Sequence, residues 1–164
     1  IYPVQMNEKV AYLTWLYKKV WPRLLSWVEQ SNTPSTIHNY VYTNGKNQPQ
    51  EILQAIREGH SFISNGPLVT AEVNGASYGE KAVLKDNTGK LSVHVFSKKP
   101  INHLWMYTGA DKKVELCAKA DAAEGGFTYD IAADEFDFGD AAWALFVADG
   151  GENNLAISNP ILFA

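Results

Sequence analysis

Few side chains in this chain are able to do chemistry, and their spacing argues against a self-contained active site. His38, His60, His94 and His103 are too widely spread for two of them to share one face of a helix or strand, the usual way a protein converges imidazoles on a metal ion. No catalytic group and no metal site follow from them. Asp134-Glu135-Phe136-Asp137-Phe138-Gly139-Asp140 brings four carboxylates into one turn, an oxygen-rich chemistry that suits Ca²⁺. Its spacing is not that of an EF-hand loop, which needs Gly at the sixth position and Glu at the twelfth. The Asp137-Phe138-Gly139 triplet lacks the glycine-rich and catalytic loops that give those letters meaning in a kinase. Cys117 is the single cysteine, which excludes an intrachain disulfide, and its setting in Val114-Glu115-Leu116-Cys117-Ala118 suits a small buried strand residue better than a nucleophile.

The aromatic residues are more informative. Where Leu104 and Met106 point inward from a strand, the period of two sends His103, Trp105 and Tyr107 outward together. Trp105 and Tyr107 then have two uses: stacking on a sugar ring, or packing against another domain or the first helix. His94 alternates with Val93 and Val95, so it belongs to an outer strand face and takes no role.

The elements that hold these residues change character along the chain. From Met6 to Gln30 the apolar residues Val10, Leu13, Tyr17, Val20, Leu24 and Val28 recur at three and four, and Leu16, Trp21, Leu25 and Trp27 widen the stripe. This is a helix that wants partners on more than one side, kinked or divided at Pro22. Trp15, Trp21 and Trp27 read as packing residues, and the helix offers a surface for self-association if its neighbour is missing. Residues 36–43 read as a strand. Pro49-Gln50-Glu51-Ile52-Leu53-Gln54-Ala55-Ile56-Arg57 predicts a helix with Ile52, Leu53 and Ile56 on one face, Pro49 in its first turn and Gly59 beyond its end.

His60-Ser61-Phe62-Ile63 then makes a short strand, and Asn65-Gly66-Pro67 a turn. Beyond it, strands are expected over residues 68–73, 91–97, 101–107, 114–118, 127–131, 142–148 and 156–163. The inner faces carry Val69, Ala71 and Val73; Leu91, Val93 and Val95; Leu104 and Met106; Val114 and Leu116; and Trp143, Leu145 and Val147. The expected class is α+β: an N-terminal helical segment with short strands over residues 1–66, then an antiparallel immunoglobulin-like β-sandwich over 67–164. With no flexible linker near Asn65, the two parts should be rigidly coupled.

A helix ending in Ala55-Ile56-Arg57-Glu58-Gly59, followed by His60-Ser61-Phe62-Ile63-Ser64-Asn65-Gly66-Pro67-Leu68-Val69 and an Asn74-Gly75 turn, resembles the end of the catalytic barrel in metal-dependent hydrolases of the PHP (polymerase and histidinol phosphatase) superfamily. It looks most like the branch related to carbaryl hydrolase, in which a β-sandwich follows the barrel. Asn39-Tyr40-Val41-Tyr42 is similar to the segment before that last helix, and Ser158-Asn159-Pro160-Ile161 to the closing strand of the sandwich. The resemblance spans residues 39–164.

The resemblance implies that residues 1–66 hold the last elements of a barrel whose parent hydrolyses an ester, amide or phosphoester with water activated on divalent ions such as Mn, Zn or Fe. The His-x-His and Asp-x-His ligand pairs of that family would lie upstream; this chain has none, needs no cofactor of its own and is expected to be inactive alone. Its implied partner is the upstream barrel of the same polypeptide. His38, Asn39, His60, Ser64 and Asn65 would then lie near the substrate mouth, on the side where barrel loops place their chemistry. Beside this stands the structural reading, in which Asn65 and Gly66 make a turn, Ser64 caps it and His38 is a hydrogen-bonded strand residue. A carbohydrate-binding or surface-adhesion sandwich, resting on Trp105 and Tyr107, is the alternative function.

Composition narrows the partners. An apolar fraction of 46%, with 12% aromatic, supplies ample core and excludes general disorder. A formal charge of −4, with basic residues in nothing longer than pairs such as Lys18-Lys19 and Lys98-Lys99, argues against a nucleic-acid backbone as partner. Glu8 and Glu29 dilute the basic character of the first helix and disfavour a membrane surface. The chain opens at Ile1 and is expected to be cut from a longer polypeptide.

Overall fold

The computed structural model describes residues 37–43, 45, 48–108, 113–116, 120–151 and 154–164, and within them the alternation of apolar and polar residues resolves into two β-sheets. The smaller sheet has the order β3 (Leu68–Val73), β5 (Thr88–Ser97), β9 (Gly126–Asp137) and β8 (Ala120–Ala123), all antiparallel. In the larger sheet, β10 (Trp143–Asp149) is the axis. On one edge it pairs with β6 (His103–Tyr107), which pairs with β7 (Lys113–Glu115). On the other it pairs first with β11 (Leu155–Ser158) and then with β12 (Ile161–Phe163), which follow one another along the same edge across Asn159-Pro160. Beyond β11 come β2 (Ser61–Ser64) and β1 (His38–Val41), and β12 takes the short strand β4 (Lys81–Ala82) in parallel.

The two sheets share one core. Val69, Ala71 and Val73 of β3, Leu91, Val93 and Val95 of β5, and Tyr129 of β9 meet Leu104 and Met106 of β6 and Ala144, Phe146 and Ala148 of β10. Alternation holds without a break along β3, where every second residue is buried.

The one helix among the described residues, α1 (Pro49–Glu58), carries its sequence signals in place. Pro49 opens it, the Gln48 and Glu51 side chains complete a capping box, and Gly59 closes it at φ 83° with its N–H on the last carbonyls. Its apolar side is less buried than the spacing predicts: Ala55 is buried, whereas Leu53 and Ile56 are exposed.

The α+β expectation is corrected. Strands make up 57% and helix 9% of the described residues, so the class is β with one helix. The short strands expected over residues 36–43 and 60–63 were assigned to a helical segment separate from the sandwich, but β1 pairs with β2, and β2 has its second edge satisfied by β11, so both belong to the larger sheet. The expected boundary near Asn65 falls where the chain crosses from the larger sheet to the smaller. The parallel pairing of β12 with β4 departs from an all-antiparallel, immunoglobulin-like plan. The helix expected over Met6–Gln30, with its three tryptophans, and Cys117 lie outside the described residues.

A second correction concerns the phase of β10. Trp143, Leu145 and Val147 were expected to face the other sheet, yet Ala144, Phe146 and Ala148 do so. All seven residues of β10 are buried, so the period of two holds no clue as to which face is which. Val114, expected inside, shares Met106's face on the edge strand β7 but is exposed. β4 and β8 have no counterpart among the expected strands. β8 begins at Ala120-Asp121-Ala122, which has neither branched nor aromatic side chains.

Candidate functional site

The strands of the larger sheet place a second apolar cluster on the face turned away from the smaller sheet. In register, Val147 of β10 lies between Trp105 of β6 and Ile157 of β11, Leu145 opposite Tyr107, and Trp143 opposite Leu162. Ile157 is paired in turn with Ile63 of β2. These residues and Leu155 form one cluster, in which Leu145 is 0%, Leu155 1%, Ile157 4%, and Trp143 and Val147 5% exposed. All of its described members come from strands of the larger sheet.

At the β6–β7 edge this band acquires a polar rim. His103 Nδ1 lies 2.7 Å from Glu115 Oε1, and the His103 ring stacks on Trp105 with centroids 4.8 Å apart. Lys113 Nζ sits 3.1 Å from the Trp105 ring centroid, a cation–π contact. His103, Trp105 and Tyr107 do share one face, as alternation predicts. The Trp105 ring is already crowded by an ammonium and an imidazole, however, and both aromatics are half-buried within the apolar cluster. That geometry fits a packed surface better than an open platform for a sugar ring.

The residues expected at a substrate mouth are spread along β1 and β2 and do not converge. His38 is cross-strand from Ser64, but it is exposed and meets the edge of the Tyr40 ring. Asn39 points to the opposite face, opposite Ile63. Ser64 is buried; its hydroxyl donates to the Pro67 carbonyl and accepts from Gly66 N–H. Asn65 grips β11 from both sides, its N–H donating to Leu155 O at 3.1 Å and its Oδ1 accepting from Leu155 N–H at 2.8 Å. Ser64 and Asn65 therefore fix the turn. His60 lies at the far end of β2, 3.8 Å from the Glu58 carboxylate, in an open groove of about 590 Å³ with Tyr40, Tyr42, Phe62, Thr70 and His94. Tyr40 stacks flat on Phe62 there, with centroids 4.9 Å apart.

Two further pairs of titratable groups stand apart from these. His94 bonds to Asp130, and Lys90 lies 2.9 Å from Asp134. That hydrogen bond and charge hold Asp134 below the usual carboxylate range and raise the Lys90 ammonium, both in full contact with water. Asp137 accepts the Gly139 N–H. The acidic stretch is thus the end of β9 and a turn, with one carboxylate committed to a lysine. Among the described residues no three His, Cys, Asp or Glu side chains gather as metal ligands would.

Buried polar residues that sequence reasoning missed are structural. Asn154 accepts from the Ser97 hydroxyl at 3.2 Å and donates to Pro100 O at 3.1 Å, tying the β10–β11 turn to the end of β5. Ser158 accepts the Phe146 N–H at 2.9 Å. No known protein family, curated protein or solved structure matches the chain.

Proposed function

We propose that this chain is a non-catalytic, structural part of a larger metal-dependent hydrolase of the PHP kind, in which its larger sheet serves as an enclosed inner layer. The observation that carries the reading is the sheet's second apolar face: Leu145, Leu155 and Ile157 are as deeply buried as the residues between the two sheets. A sheet with water on one side alternates apolar with polar; one enclosed on both sides is apolar throughout, as β10 is. This sheet is built as an inner layer.

The resemblance of residues 39–164 to the end of a PHP barrel and its following sandwich supplies the class of parent, which would hydrolyse an ester, amide or phosphoester. The described residues do not fit a divalent-metal centre, because His60, His94 and His103 each meet a different carboxylate at a different place. The metal chemistry is assigned to the parent's barrel, and no step of it runs through these residues.

The test is an assay of the purified chain on nitrophenyl esters and phosphoesters with added Mn²⁺ or Zn²⁺. The expected rate equals that of a denatured control. Turnover above the control that disappears with a chelator overturns the reading.

A further inference from the structure

We infer that the open groove between the β1–β2 edge of the larger sheet and the outer face of β3 and β5 binds an elongated organic cation, an aliphatic chain with an ammonium group at each end. The site is separate from the enclosed apolar face and independent of the parent's hydrolase class. Its walls come from both sheets. Cross-strand register puts Thr70 opposite His94 and Glu72 opposite Ser92, and alternation turns all four outward from the smaller sheet. The other wall is aromatic and fixed: Phe62 stacks on Tyr40 and meets the buried Tyr78 ring edge-on at 6.3 Å. Tyr42 continues the β1–β2 ladder, its N–H donating to His60 O at 2.8 Å, and is 67% exposed. The groove of about 590 Å³ is of the size that small ligands occupy. It runs on into a second hollow of about 250 Å³, with Tyr42, His60 and Glu80 common to the two.

Electrostatics selects the ligand class. Glu72 and Glu80 line the larger hollow and Glu51, Glu58 and Glu80 the smaller, while no Lys or Arg is among the described residues of either. Glu51 and Glu80 accept backbone N–H groups and Glu58 accepts the Gln54 amide, neutral donors that leave the carboxylate charges uncancelled. Glu58 also lies 3.8 Å from His60, and no described group pairs with the Glu72 side chain. An ammonium group gains both from a carboxylate and from the face of a tyrosine ring. The methylenes between two such groups lie on the same rings and lose their contact with water. A neutral sugar would stack on the tyrosines without using the carboxylates' field, and an anion would be repelled. Carboxylates in both hollows, joined across Tyr42, match a charge at each end of the ligand.

The full chain tests this by calorimetric titration and amide NMR shift mapping with hexamethylenediamine, against hexanediol and adipate as neutral and anionic ligands of the same length. The diamine should saturate and shift the amides of residues 40–42, 60–62 and 70–72, and the other two should not. Glu72→Gln and Tyr42→Ala, both at exposed positions, should each weaken binding about fivefold. Glu135→Gln removes the same charge from β9 outside the groove and should leave the affinity unchanged. Equal weakening by Glu72→Gln and Glu135→Gln would reduce the effect to net charge and overturn the inference. Hexanediol binding as tightly as the diamine would overturn the cationic class. Maltotriose moving the groove amides where the diamine does not would make this a sugar site and overturn it too. So would a diamine that fails to saturate, or that shifts amides elsewhere.

Discussion

Tyr78 places a phenol inside the core between the sheets, 5% exposed, where its hydroxyl donates to Val69 O at 3.0 Å. Burial pushes its pKa up from the ordinary value of 10.0, since a phenolate there would lose its water. A group whose folded pKa lies above its unfolded value gives stability that is whole below the unfolded value and is lost as pH climbs past it. Tyr78→Phe should therefore cost about 1 kcal/mol near neutral pH, through the lost hydrogen bond. Above about pH 10 the gap to the parent should close, because the unfolded parent chain gains from ionising its phenol. Urea midpoints of the two proteins across that range measure it, and a gap that stays constant would refute the account. Single residues were also where the sequence was least legible. Asn154 sits in a run of turn-forming residues, and nothing in its neighbours announces that its amide would be buried against Ser97 and Pro100 from 57 and 54 residues away. Ser64 and Asn65 were legible as turn residues because their hydrogen bonds are set by the local chain and by the strand they enter.

At the scale of elements, α1 is fixed to the loop after β3 by a close backbone approach. Gly79 and Gly75 share φ +80, but a Cβ on Gly79 would run into the Glu58 carbonyl, whereas one on Gly75 meets nothing within 4 Å. The pair separates conformational strain from contact. Gly79→Ala should be less stable than Gly75→Ala by about 2 kcal/mol, the scale of overpacking, and equal thermal shifts would show that the contact is soft. β10 offers the companion experiment on the sheet. Phe146→Ala, facing the smaller sheet, should cost about 3–5 kcal/mol, and Leu145→Ala, on the opposite face, about 2–5 kcal/mol. A Leu145→Ala cost below about 1 kcal/mol would mean that its face is not packed as a core. Strands with one wet side, such as β3, were legible to the residue because alternation marks the buried face. The phase of β10 was not, since Trp143 to Asp149 are buried on both sides. Which face of β10 packs where is decided by long-range register with β6 and β11.

For the molecule as a whole, the boundary between a helical region and a β region was the least secure expectation. It came from a real change of sequence period at Gly59. That change marks where α1 ends, and the strands on either side of the helix join the same sheet. Local periodicity reports the state of a segment but not its neighbours, and β2 and β11 meet across more than 90 residues of chain. The outer apolar face of the larger sheet was half legible: alternation set Trp105 and Tyr107 side by side, while their union with Trp143, Leu145 and Ile157 needed the strand order.

The position of β10 has a consequence for how the molecule breathes. Its amides are shared among β6 on one edge and β11 and β12 on the other, while among the described residues β1 and β7 end the sheet with one partner each. Solvent protons reach such an axis only when the whole stack opens, whereas border strands fray by themselves. In deuterium oxide, residues 145–148 should be the last to take up label, at the rate of global unfolding, and residues 38–41 and 113–115 among the first. Early labelling of β10 would mean that the sheet splits along its middle before its borders loosen.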